Sequence, residues 1–82
     1  FKFTEAISLT INTEDQAETD YYWNALTANG GAESYCGWCK DKYGLSWQVE
    51  PKLLRELSTS ADKEKRDFAM NAMFQMKKIN SF

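Results

Sequence analysis

Two cysteines sit three residues apart in Cys36-Gly37-Trp38-Cys39, the spacing of a dithiol redox pair or of half a zinc site. A redox pair of this kind needs its first thiolate stabilised, usually by the N-terminal end of a helix. After Cys39 comes a charged turn, Asp41-Lys42-Tyr43-Gly44, and then an alternating strand, so no helix supplies that field. On a single strand residues 36 and 39 point to opposite faces, whereas a disulfide brings the two Cβ atoms within about 4.5 Å. Tetrahedral zinc needs two further ligands, and the chain has neither a second cysteine pair nor any histidine. The pair therefore reads as structural cysteines on a strand. The absence of histidine also excludes Ser-His and Cys-His catalysis within one chain and removes the commonest general base and metal ligand.

The elements that would position any site must come from a short chain. Its 82 residues make one domain, and a domain of this size buries only about 60–65% of its unfolded surface. Help from a staple or a partner chain is expected. With 43% hydrophobic and 15% aromatic residues the composition is globular. A net charge of −2 argues against a nucleic-acid partner, which requires a cationic surface. No apolar run is long enough to span a membrane, and no signal peptide opens the chain. Two cysteines are too few for a secreted disulfide scaffold, which points to a cytoplasmic protein. A chain that begins with Phe1 is expected to be a processed or truncated fragment.

Residues 3–11 alternate. Ile7, Leu9 and Ile11 form an apolar face expected to carry a helix, and Ala6, Ser8 and Thr10 a small polar face of the kind that lines a cavity. Thr13-Glu14-Asp15-Gln16 reads as a capping box for a helix over 14–28 that stops at Asn29-Gly30-Gly31. Tyr22, Trp23 and Leu26 are its expected buried stripe. Residues 33–40 read as a second strand and 45–50 as a third, joined through Gly44 and ended by Pro51. A short helix with Leu53, Leu54 and Leu57 follows. A longer helix over 61–77 carries Ala69, Ala72, Met73 and Met76, flanked by Phe68. Residues 79–82 make either a short strand or a frayed end. The fold class is α+β: strand, helix, hairpin and C-terminal helices.

Cys36-Gly37-Trp38, Lys40-Asp41-Lys42-Tyr43-Gly44-Leu45-Ser46-Trp47-Gln48 and Pro51 resemble the signature of the PhnB-like proteins. These belong to the glyoxalase/bleomycin-resistance/dioxygenase group, the vicinal oxygen chelate superfamily. Phe3-Thr4-Glu5-Ala6-Ile7-Ser8-Leu9, Asp20-Tyr21-Tyr22-Trp23 with Leu26, Ala72-Met73 and Met76-Lys77-Lys78-Ile79 fit the same pattern, so the resemblance spans nearly the whole chain. Some members carry the label 3-demethylubiquinone-9 3-methyltransferase, although the chain has no glycine-rich loop between a strand and a helix of the kind methyl transfer would suggest.

The resemblance implies a single βαβββ-type module, paired with another so that two curved sheets enclose a cleft, and this chain looks like the second module of such a pair. It implies binding of a small molecule in that cleft. The wall residues would be Ser8, Thr10, Ser46, Gln48 and Glu50, with Trp38 and Trp47 near or behind them. The superfamily also implies a divalent metal held by histidines and glutamates. Here the histidines are absent and Glu50 offers one carboxylate, so no metal ligands and no catalytic residues are assigned. Two alternatives stand beside the binding module: a metal-dependent lyase or dioxygenase with ligands from another module, and a non-catalytic interaction module. Unpaired strand edges favour association, and a homodimer is expected.

Overall fold

The computed structural model describes residues 6–80. Residues 3–5 of the expected first strand and 81–82 of the closing segment lie outside the described residues. The element order is β1 (Ser8–Thr13), α1 (Gln16–Thr27), β2 (Ala32–Glu33), β3 (Trp38–Lys40), β4 (Ser46–Pro51), α2 (Lys52–Ser58) and α3 (Lys63–Met73). The strands form one open sheet in the order β1-β4-β3-β2. β1 runs parallel to β4, and the other pairs are antiparallel. This is a single βαβββ-type α+β module followed by two helices.

Register assigns the faces, because paired residues project to the same side of a sheet. Leu9 pairs with Trp47, Ile11 with Val49, and Cys39 with Trp47. These residues share the face that receives α1, where buried Trp23 packs on Cys39 and Val49, with Leu26 and Trp47 alongside. The apolar face of β1 is less covered than its alternation implies. β1 is an edge strand while α1 lies mainly over β3 and β4, which leaves Leu9 46% and Ile7 60% exposed.

Four local expectations are corrected. Residues 33–40 are not one strand: β2 ends at Glu33 and a turn over 34–37 precedes β3. That turn places Cys36 (φ 60) and Gly37 (φ 79) in the left-handed region. The N-cap of α1 is Asp15, whose Oδ1 accepts from the Glu18 amide at 2.9 Å. Thr13 is buried instead, hydrogen-bonded to the Thr19 hydroxyl at 2.6 Å. Tyr22, expected in the buried stripe of α1, lies on an exposed face, because only one side of the helix meets the core. Finally, α3 stops at Met73 and not near residue 77.

The chain after α3 turns back to the sheet. The Cys36 and Gly37 amides donate to the Met76 and Lys77 carbonyls, both at 2.8 Å. Ile79 is buried with Leu54 and Ala69 in a second core, flanked by Leu57, Met73 and Met76. Gln16 Nε2 donates to the Ile79 carbonyl at 3.1 Å, and Lys78 Nζ stands 2.7 Å from Asp20 Oδ1.

The Lys78 ammonium, and then the Gln16 amide, hold the Asp20 carboxyl below its ordinary range. A carboxyl with a depressed folded-state value stabilises above the ordinary carboxylate range, and that stabilisation fades as pH falls through the lower folded value. Asp20→Asn should therefore lower the melting temperature slightly and salt-sensitively at neutral pH. The gap between the two proteins should close in strong acid. Thermal melts at both pH values check this; a gap that persists in acid would rule out the ion pair as its source.

Candidate functional site

Among the described residues the strands bring their polar side chains together on the sheet face opposite α1. Ser8 pairs with Ser46, Thr10 with Gln48, Asn12 with Glu50, Trp38 with Gln48, and Lys40 with Ser46. The alternation of β1, β3 and β4 thus brings Ser8, Thr10, Trp38, Ser46, Gln48 and Glu50 onto one surface. Gln48 Nε2 donates to Ser8 Oγ at 3.0 Å, which ties the β1 and β4 parts of that surface together. Trp47 lies behind it, on the α1 side, with its indole N–H donating to Asp41 Oδ2 at 2.9 Å.

Two cavities open on either side of Trp38. The larger, about 420 Å³, lies against Tyr35, Cys36, Trp38, Lys40 and Ser46. The smaller, about 160 Å³, lies between Trp38, Gln48 and Glu50 of the sheet and Leu54 and Met73 of α2 and α3. The larger falls within the range of small-molecule sites, a few hundred cubic ångströms lined by apolar groups with a few placed polar ones.

Lys40 and Tyr35 are not among the wall residues expected from the sequence, and Cys36 is read there only as half of the C-x-x-C pair. Lys40 was legible, because it stands two residues beyond Trp38 on the same strand and so shares its face. Tyr35 and Cys36 reach the cavity only because of the turn at 34–37, which the strand-like composition of that stretch conceals.

The donor set does not suit a resident divalent metal. Among the described residues Glu50 is the one carboxylate that the strands bring to this face, beside a Gln48 amide already engaged with Ser8 and several hydroxyls. Among the described residues no group of three or more histidine, cysteine or acidic side chains converges. Hard divalent cations ask for several oxygen ligands at once, commonly including more than one carboxylate.

The cysteines are free thiols, and Cys39 is buried among Trp23 and Val49. Burial, with the nearby charges of Asp41 and Glu33, pushes its thiol up to about 11. That is the reverse of the lowered value a dithiol catalyst requires. Cys36 is half-buried at the turn. At neutral pH iodoacetamide should label Cys36 and leave Cys39 intact until denaturant is added, as read by mass spectrometry of the peptides. Equal labelling of both in the folded protein would contradict the core position of Cys39.

Among the described residues no helix is long and apolar enough to cross a membrane. The family model described as 3-demethylubiquinone-9 3-methyltransferase matches residues 1–50. That match takes in β1, α1, β2, β3 and β4 as far as Glu50, and so the strands that carry the polar face. No curated protein matches the chain.

Proposed function

The chain belongs to the 3-demethylubiquinone-9 3-methyltransferase family, a glyoxalase-like family, and from that premise we propose that it is a small-molecule-binding module. Its ligand lies on the polar sheet face, in a cleft completed by a second module of the same kind. The observation that carries this reading is the division of labour between the two faces. One is filled by Trp23 and α1, and the other gathers Ser8, Thr10, Ser46, Gln48 and Glu50 around Trp38 with a cavity on each side.

A second copy of this chain supplies the other module. Support comes from β1, an edge strand with Ile7 and Leu9 exposed, since such an edge offers unpaired backbone groups and apolar side chains to another chain. Sedimentation at tens of micromolar should give a dimer, and a monomer there would remove this assignment of the partner.

Binding itself is tested by amide-resolved NMR with a mixed set of small polar and aromatic compounds. Saturable shifts should fall on 8–10, 34–40 and 46–50. Shifts confined to the α1 side, or no saturable shift with any compound, would overturn the reading.

A further inference from the structure

Glu50 is the carboxylate that β4 brings to the polar face, and it is half-buried there. Among the described residues its side chain makes no ion pair or hydrogen bond. The Arg55 guanidinium donates instead to the Glu50 main-chain carbonyl, at 3.3 Å. Lys52 is turned toward Glu14 and Glu56, at 4.0 and 3.9 Å. A carboxylate offers acceptors only, and here they stay open to a ligand.

That carboxylate lines the smaller cavity, about 160 Å³, between the sheet and the two C-terminal helices. At ~30 Å³ per water the space suits about five waters, or one compact molecule of a few heavy atoms. Gln48 lines it too; its Nε2 is engaged with Ser8 Oγ, which leaves the amide oxygen as a second acceptor. Trp38 of β3, Leu54 of α2 and Met73 of α3 supply the apolar part of the wall. Among the described residues no lysine or arginine lines it. Two acceptors, one of them charged, thus meet an indole and a thioether. An indole attracts cations through its ring quadrupole, and a methionine adds a soft, polarizable contact. One carboxylate is too few for a divalent metal, but it balances the single charge of an organic ammonium.

We infer that the cavity between Glu50 and Met73 is a site for a small alkylammonium ion, with the Glu50 carboxylate as its counter-charge and Trp38 as its aromatic wall. The inference rests on the reading of the polar face as the ligand-bearing surface and names the ligand class for it.

Trimethylammonium is the probe, and tert-butanol its neutral isostere. Titrated into the intact chain as the chloride salt, trimethylammonium should shift the amides of 37–38 and 48–50 and the Met73 methyl saturably. It should bind more tightly than tert-butanol. Glu50→Gln keeps the shape and removes the charge, and should weaken trimethylammonium about tenfold, the effect of losing one hydrogen bond to a charged group. Without ligand the same substitution should leave the melting temperature nearly unchanged, because the carboxylate ties down no other part of the described chain. Glu56→Gln replaces an exposed acid of α2 that faces Lys52, and should leave binding unaltered. Equal weakening by Glu56→Gln would show a diffuse attraction to an acidic surface and overturn the inference. Shifts that ignore Glu50→Gln, or tert-butanol binding as tightly, would also overturn it. So would a marked fall in the melting temperature of Glu50→Gln, or its failure to fold, because Glu50 would then be structural. In those cases other compounds binding the polar face would leave the cleft reading standing. If neither trimethylammonium nor any compound of the mixed set binds that face, both readings fall.

Discussion

Trp23→Ala should leave most of the chain unfolded at room temperature. Trp23 is 1% exposed and fills the space between α1 and the sheet, in contact with Cys39 and Val49. Removing a buried aromatic side chain costs about 3–5 kcal/mol, and a core of this size supplies little more than that in total. The indole also donates to Glu33 Oε1 at 2.8 Å, which joins α1 to β2. β2 is only two residues long, so it has few other ties. Trp23→Phe separates the two contributions: it keeps most of the apolar contact and loses the hydrogen bond, and should cost about 1–2 kcal/mol. Circular dichroism with urea titration reads both variants. A Trp23→Ala protein with an unchanged midpoint would show that the α1-to-sheet contact does not hold the fold together.

The parts of the fold that could be read from the sequence are those governed by local periodicity. Alternation in Ser46-Trp47-Gln48-Val49-Glu50 identifies β4 and sorts its side chains onto the correct faces. The 3.6-residue pattern through Trp23 and Leu26 identifies α1. The break at 34–37 was hidden because Tyr35 and Cys36 suit strands, and Gly37 was the only hint of a turn. The cap moved from Thr13 to Asp15 because both residues are competent caps. The choice was settled by the Thr13–Thr19 contact, which joins the end of β1 to α1 across six residues. The return of the C-terminal segment is less legible still. Gln16 and Ile79 are 63 residues apart, and no local pattern couples them.

The candidate face divides in the same way. Ser8, Thr10, Trp38, Ser46, Gln48 and Glu50 follow from strand alternation once register is known. The position of Trp47 on the opposite side follows from that same alternation. The cavity wall at Tyr35 and Cys36 depends on two left-handed residues, one of which carries a side chain. A non-glycine residue in that region is uncommon and costs of order 1 kcal/mol or more, so the surroundings of Cys36 must fix it. The Cys36 and Gly37 amides, both bonded to the C-terminal segment, provide that constraint. The shape of the cavity is thus coupled to the packing of Ile79.

Gly31→Ala is expected to damage both stability and the candidate site, because Gly31 sits against the backbone of both the last turn of α1 and the end of β3. A Cβ there would stand 2.5 Å from the Leu26 carbonyl oxygen, 2.7 Å from the Lys40 carbonyl oxygen and 2.7 Å from Thr27 Cα. All three are backbone atoms, so no side-chain rotation relieves the contact, and the last turn of α1 must move away from β3. Forced rearrangements of this kind cost about 3 kcal/mol. Gly44→Ala is the informative control. Gly44 has φ +85, and an added Cβ meets nothing within 4 Å, so its cost is backbone strain alone, about 1 kcal/mol. Urea unfolding should therefore rank Gly31→Ala well below Gly44→Ala. Lys40 lines the larger cavity beside Trp38, so a β3 pushed by residue 31 also disturbs the wall of that cavity. Equal stability of the two variants would mean that the α1–β3 approach is looser than these distances require.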